Sequence, residues 1–354
     1  MSAPASTAAP VPVVARGRDR GLVLRWAGAL AGALVLFALL LLVKGADPVA
    51  VFAGMVTSTL TSPPSLEQIV IKAAPLILAA LAVVVPARAG LTNVGGEGQV
   101  VIGAVAAAGV GLALDRQVAG PLVLVLLLAG GALGGALWAG VAAVLRITTG
   151  VNEAVSTLLL NYIALDVLLY LIYEPWKDTT GSGQPVTRSL EVAARLPLVG
   201  GTAVHAGIVL ALLAAAGVWL VLRRTAFGFR LGVVGGNAEA AARAGLPVRA
   251  LLLSAMLIGG VLAGLAGAVH LAGQEFELRP GITTNLGYVA FLASWLVGHR
   301  PLPVVGAALL VAAITVAGDS LQLDSGLPAA TTHILTGLVL LAVLGWTRRK
   351  KALT

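Results

Sequence analysis

Asn93, Glu97 and Gln99 stand close together in a chain that is otherwise largely apolar, and Asn152, Glu153, Thr157 and Asn161 follow in similar surroundings. Carboxylates and carboxamides of this kind can bind polar solutes, cap helices or relay protons. On a helix, Glu153, Thr157 and Asn161 are successive i, i+4 neighbours and make one polar stripe, which cannot comfortably face lipid. Tyr288, Phe291 and Trp295 fall at i, i+3 and i+7. Their common face suits a nucleobase, a packing contact or an interfacial belt. Asp166 points about 140° away from Asn161 at 100° per residue, so it belongs to another environment, and a position near the outer headgroups, within reach of water, accounts for it.

The chemistry that is missing narrows the field. There is no G-x-S-x-G or H-E-x-x-H, and the four histidines (His205, His270, His299 and His333) are scattered. Cysteine is absent, which removes disulfides, thiolate metal sites and a cysteine nucleophile. No phosphate-binding G-x-x-x-x-G-K-[ST] exists, since none of Lys44, Lys72, Lys177, Lys350 and Lys351 sits in one. The residues therefore predict no catalytic group, metal or cofactor. A chain that moved solute at the expense of ATP would need a separate ATPase.

These residues must be positioned by membrane helices. Hydrophobic residues make up 58% of the 354 and charged residues 11%, with a mean hydropathy of +0.99; soluble chains carry about a quarter charged residues. Apolar runs cover 26–43, 68–86, 97–114, 119–145, 151–173, 204–222, 251–272, 283–298, 302–318 and 331–346, most near the ~20 residues a hydrocarbon core requires. With the N-terminus inside, only Lys44, Lys72, Arg116, Lys177, Arg188, Arg195 and Arg279 of the 23 Lys and Arg lie outside. The positive-inside rule thus predicts an all-α, multi-pass membrane protein of about ten helices with both termini cytoplasmic. The net charge of +8 follows from basic loops beside anionic lipid and implies no nucleic acid. Residues 1–25 read as a disordered basic cytoplasmic tail, 26–346 as the membrane domain and 347–354 as a second basic tail. The first span is expected to be a retained anchor. Gly28/Gly32, Gly130/Gly134, Gly131/Gly135 and Gly260/Gly264 are each four apart, a spacing that lets helices cross closely.

Three segments depart from simple packing. The stretch from Leu91 to Gln99 has three glycines among polar side chains, so its backbone is irregular or only beginning to wind. Asn93 and Glu97 there are either a cap with its first-turn acid or part of a gate. The stretch from Gly150 to Tyr162 carries the polar stripe. In the loop 223–250, Asn237 caps an Ala-rich helix that stops at Gly245 and Pro247, between two arginine clusters, and this looks like a docking element.

Three motifs now resemble the permease subunits of bacterial ATP-binding-cassette importers for simple sugars, branched-chain amino acids and nucleosides, most of all the longer permease of general nucleoside importers. Asn93-Val-Gly-Gly-Glu97-Gly-Gln99 is similar to N-I-G-x-E-G-Q. Gly150-Val-Asn-Glu153 through Asn161-Tyr162-Ile163-Ala164 is similar to the G-V-N-E…L-N-Y-I-A segment of the nucleoside branch. Thr225-Ala-Phe-Gly-Phe-Arg230 through Gly245 is similar to the coupling loop; its Glu239-Ala240-Ala241 and Gly245 fit the first half of the E-A-A pattern, while the I-x-L-P half is missing. The resemblance covers about 26–346.

The resemblance implies a non-enzymatic, multi-pass permease of the bacterial cell (inner) membrane. Its partners would be a cytoplasmic ABC ATPase, a second and different permease, and an extracytoplasmic solute-binding lipoprotein. It implies that Asn237, Glu239, Ala240, Arg243 and Gly245 meet the ATPase, and that the outer loop 174–203 receives the binding protein. Candidates for the translocation path are Asn93, Glu97, Gln99, Asn152, Glu153, Thr157, Asn161, Tyr288, Phe291 and Trp295. The expected cargo is a nucleoside, with a simple sugar or branched-chain amino acid as the alternative. A proton-coupled secondary transporter would need a mid-membrane carboxylate pair, which Glu97, Glu153 and Asp166 do not make. Thr92-Asn93-Val94-Gly95 and Thr284-Asn285-Leu286-Gly287 also hint at an inverted repeat whose two segments flank the path at its two mouths.

Overall fold

The first apolar run is followed by a sharp bend. Helix α1 (Arg20–Val43) stops before Asp47, whose side chain accepts the Val49 N–H at 2.9 Å. Pro48 then opens a second helix, α2 (Pro48–Leu60). Proline suits a first helical turn, where its missing N–H costs nothing, and the two helices meet at 115°. The sequence reading carried no helix over 48–60. The Asp-Pro pair was its signal.

In this computed structural model residues 20–114, 117–181, 183–283 and 285–325 are described, with 331, 334, 335, 337 and 338. The expected span 331–346 and tail 347–354, most of the tail 1–25, Thr284 and His333 fall largely or wholly outside them. After α2 come α3 (Pro63–Arg88), α4 (Gly96–Leu114), α5 (Gly120–Thr149), α6 (Glu153–Tyr173), α7 (Gly207–Arg224), α8 (Ala226–Gly236), α9 (Ala238–Arg243), α10 (Val248–His270), α11 (Leu286–Leu296) and α12 (Pro301–Ser325). A π-helical turn, Leu271–Glu275, extends α10. Among the described residues the fold is entirely helical apart from a single isolated bridge between Leu198 and His205.

Seven helices (α3, α4, α5, α6, α7, α10 with its π turn, and α12) are long and apolar enough to cross a membrane, or eight if α1 and α2 form one bent span. The run expected at 283–298 forms only the 11 residues of α11. At 1.5 Å per residue that is about 16 Å, half of a ~30 Å hydrocarbon core. Such a half-span must begin inside the protein, because its first N–H groups could find no partner in lipid.

Helix α3 is the buried axis, packed by α7, α10, α11 and α12. Beside it α4, α5 and α10 approach at nearly backbone distance. A Cβ on Gly264 would stand 2.1 Å from the Gly131 carbonyl oxygen, and one on Gly267 would stand 2.0 Å from that of Val100. Gly131 and Gly135 thus meet Gly260 and Gly264, while Gly130 and Gly134 meet Val110 and Ala106 of α4. Three of the four glycine pairs therefore sit at helix crossings. Gly28 and Gly32 meet no atom of the described residues within 4 Å of where their Cβ would be.

Candidate functional site: a polar lock where three helices meet

Between the end of α3 and the start of α4 the chain runs without helix from Ala89 to Gly95. Asn93 and Gln99 close this stretch with a reciprocal amide pair. Asn93 Nδ2 donates to Gln99 Oε1 at 3.0 Å and Gln99 Nε2 donates to Asn93 Oδ1 at 2.9 Å. Asn93 Oδ1 also accepts the Gly95 N–H at 3.1 Å. Both side chains are fully buried. Amide donors and acceptors removed from water must be paired, and here they pair across the loop that they hold.

Helix α6 lies against this loop. Asn161 Oδ1 accepts the Gly98 N–H at 2.8 Å, while its Nδ2 donates to the Val94 carbonyl and to the Tyr288 hydroxyl, each at 3.1 Å. A Cβ on Gly98 would come within 2.9 Å of Asn161 Cα, and one on Gly95 within 2.7 Å of Thr157 Cβ. The glycines of the first motif are thus set against the polar stripe of the second. At the foot of α6, Glu153 accepts the Thr92 N–H at 3.0 Å and pairs with Arg146 of α5 at 3.4 Å. Asn152 caps α6 by accepting the Ala154 N–H at 2.9 Å, and it is exposed.

Glu97 joins α4 to α11. One carboxylate oxygen accepts the Thr283 hydroxyl and the other accepts the Gly287 N–H at 2.7 Å. The acid therefore lies in the first turn of its own helix and at the N-terminus of a second, where both dipoles favour negative charge. Gly287 permits the approach, since a Cβ there would stand 2.1 Å from the Glu97 nitrogen. Asn285, just ahead of α11, is left-handed at φ 65°. The two segments compared as a repeat touch one another at Gly96, Glu97 and Gly287 instead of lying apart at two mouths. Their meeting point is where the half-span begins.

The structure thus brings together Asn93, Glu97 and Gln99, the stripe residues Glu153, Thr157 and Asn161 of α6, and Tyr288.

 Phe291 and Trp295 stand apart in an aromatic ladder, with centroids 5.9 Å apart and Trp295 edge-on to His299 at 5.7 Å. Sequence reasoning missed Thr283, Arg146 and Gly287 as members of the lock. Only the Gly287 position carried a signal, through its likeness to the 92–95 stretch.

The loop 223–250 is more structured than expected. Thr225 Oγ1 accepts the Gly228 N–H at 3.2 Å and starts α8, a helix that the arginine pattern had concealed. Asn237 caps α9 by accepting the Ala240 N–H at 2.9 Å, and Gly245 ends it at φ 80°. Ala241 is buried beneath the helix, whereas Glu239 and Arg243 are exposed and pair with each other at 2.6 Å. Helix α8 rests on the end of α3: a Cβ on Gly235 would lie 2.4 Å from the Arg88 carbonyl oxygen, and one on Gly90 would lie 3.2 Å from Gly235 Cα. Gly90 is also left-handed at φ 81°, which a side chain would strain. Leu91, the first residue of the lock segment, follows it directly.

At the other end of α6, the loop 174–203 is tied down by the segment after α10. Thr187 N–H donates to the Leu278 carbonyl at 3.1 Å, Leu190 N–H to that of Phe276 at 2.7 Å, and Leu196 N–H to that of Ala272 at 2.9 Å. The Arg195 guanidinium lies 4.2 Å from the centroid of the Phe276 ring. The Thr180 hydroxyl and N–H donate to Asp178 and hold its carboxyl below the usual range.

Known proteins are similar to this chain in sequence. The family model described as a branched-chain amino acid transport system permease component matches residues 65–344. A glucose ABC transporter permease protein of Haloferax volcanii is 34% identical, over 84% of this chain and 80% of its own length. A guanosine ABC transporter permease protein of Bacillus subtilis is 33% identical, over 76% of this chain and 78% of its own. A nucleoside ABC transporter permease protein of Lactococcus lactis is 25% identical, over 86% of both chains.

Proposed function

The chain belongs to the family of permease components of branched-chain amino acid transport systems, and from that premise we propose that it is the membrane-spanning permease of an ATP-driven nucleoside importer. The observation that carries the mechanism is the Gly90–Gly235 contact, which joins the α8–α9 loop to the segment that holds Glu97. A cytoplasmic ATPase receives α9, with Glu239 and Arg243 exchanging their mutual pair for contacts across the interface. Its closure on ATP displaces α8, and α8 displaces residues 88–91. The lock then carries that movement to the start of α11, because Glu97 ties α4 to Thr283 and Gly287. Rigid, glycine-tight contacts suit this role, since a packed interface shifts between discrete arrangements and does not deform continuously.

In this reading the lock flanks the path and sets its closure, while Tyr288, Phe291 and Trp295 border it on half-buried faces of α11. The polypeptide supplies no catalytic group, and hydrolysis belongs to the partner. Both termini are cytoplasmic, and the span count rises to about ten with α1–α2, α11 and the run 331–346. The pairing of two oppositely entering N-termini at Glu97 supports the inverted repeat. A second permease completes the channel, and a solute-binding lipoprotein delivers cargo to the 174–203 loop.

The nucleoside assignment rests on the Gly150–Ala164 motif and on the guanosine and nucleoside permease relatives. The glucose permease relative favours a second reading, in which the cargo is a simple sugar. Proteoliposomes containing the permease, its ATPase, the second permease and the lipoprotein test both. Labelled guanosine should enter only with ATP and should outcompete glucose. Preferential glucose uptake selects the second reading, and uptake driven by a pH gradient alone rejects the importer.

A further inference from the structure

Helix α6 has two polar sides, and the lock uses only one. Its buried side holds Glu153, Thr157, Asn161, Ala164, Leu168 and Ile172. Its opposite side changes character along its length. Val155, Leu158 and Leu159 are exposed in the first half, as expected of a lipid-facing surface. From there the same side carries Tyr162, Asp166, Tyr170 and Tyr173, with the three tyrosines 60%, 64% and 53% exposed and Asp166 exposed as well. At 100° per residue these four fall within about 80° of one another. Among the described residues Asp166 has no ion pair and no side-chain hydrogen bond.

Depth decides what this stripe can face. Tyr170 and Tyr173 lie in the last turn of α6, where an interfacial aromatic belt would explain them. Asp166 is seven residues from that end, about 10 Å deeper, and Tyr162 is about 16 Å deeper. The short aspartate side chain does not span that distance by itself, so the water that the sequence reading allowed it must come to it along this face. A carboxylate exposed at that depth must therefore meet water or protein. The stripe begins one residue from Asn161, whose Nδ2 donates to the Tyr288 hydroxyl of α11 from the buried side of the helix.

Resting on the permease reading above, we infer that the Tyr162–Tyr173 face of α6 is a wall of the solute path, on which Asp166 accepts hydrogen bonds from the hydroxyl groups of a neutral polyhydroxylated solute. The tyrosine rings offer flat apolar surface to a base or to the C–H face of a sugar, and their hydroxyls offer further polar contacts. The stripe runs from the middle of the helix to the end that leads into the 174–203 loop. It thus forms an approach along α6 from the side where the binding protein delivers cargo, with the lock packed behind it on the buried side of the helix. The path-lining side of α6 is the one opposite the motif residues.

The natural absence of cysteine makes the test direct. Asp166→Cys and Tyr162→Cys are each introduced into the permease, with Leu133→Cys on α5 and Leu213→Cys on α7 as exposed apolar comparisons. The assembled complex in proteoliposomes is treated with a charged, membrane-impermeant methanethiosulfonate, alone and with guanosine or glucose. The inference predicts that Asp166→Cys and Tyr162→Cys react at least tenfold faster than the two leucine positions and are protected by guanosine or glucose. Reaction as slow as at Leu213→Cys overturns it, as does an oxidative cross-link from Asp166→Cys to the second permease with no reagent access. Asp166→Asn supplies a second readout. It should raise the KM for uptake several-fold at normal membrane abundance, and an unchanged KM also overturns the inference. Failure of the importer reading is seen separately, as absent ATP-driven uptake by the unsubstituted complex.

Discussion

The polar lock and the α9 loop carry the same residue types and are built in opposite ways. In the lock, Asn93, Glu97, Gln99 and Asn161 are buried, and their polar atoms satisfy one another or nearby backbone. In α9, Glu239 and Arg243 are exposed and, among the described residues, pair with each other alone. A buried acid with two fixed donors cannot be exchanged for another partner without leaving those donors unpaired. An exposed i, i+4 pair is worth only about 0.3–0.5 kcal/mol and can be replaced by contacts to another protein. The contrast teaches that a conspicuous polar motif in a membrane chain need not touch the cargo. In the proposed mechanism the lock transmits and holds, while the loop meets the motor.

Substitutions should separate the two regions. Glu97→Leu should do the most damage. It strands the Thr283 hydroxyl and the Gly287 N–H, at about 1–3 kcal/mol each, and the permease should be largely lost from membranes, as quantitative immunoblotting would register. Normal abundance with impaired uptake would instead place Glu97 on the path. Gly235→Ala should come next. Its Cβ would press on the Arg88 carbonyl, costing roughly 1–3 kcal/mol by overpacking. It should also lower solute moved per ATP, and an unaltered ratio of uptake to hydrolysis would break the proposed link between α8 and the lock. Tyr288→Phe removes a single hydrogen bond to Asn161, so the melting temperature of the detergent-solubilised protein should fall by the equivalent of about 1 kcal/mol. Glu239→Lys should leave stability within about 0.5 kcal/mol of the parent, with normal insertion, yet ATP hydrolysis should continue without uptake. A strongly destabilised Glu239→Lys would erase the distinction between the regions.

Much of this architecture was legible from apolar length alone. The runs at 68–86, 97–114, 119–145, 151–173, 204–222 and 251–272 correspond to α3, α4, α5, α6, α7 and α10, because a bilayer demands about 20 apolar residues of any crossing helix. Length could not show that the run 283–298 becomes a half-span, since a helix starting within the protein is as apolar as one that crosses it. Nor could it show α2, whose start depends on the Asp47 cap and Pro48. Of the site, the i, i+4 stripe on α6 was readable because it sits on a regular helix. The Asn93–Gln99 clamp was not, because its geometry belongs to an irregular backbone with no period to read. The lock's tie to α11 spans 190 residues and depends on Gly287 having no side chain, a contact that no local pattern reveals.

The central claim is that ATP hydrolysis by a partner opens this permease through α9. It is tested most directly by measuring labelled guanosine uptake and ATP hydrolysis together in proteoliposomes holding the complete complex. The account predicts uptake that requires ATP, with hydrolysis persisting and uptake abolished in Glu239→Lys. Uptake that proceeds on a proton gradient without ATP, or that is untouched by Glu239→Lys, would contradict it.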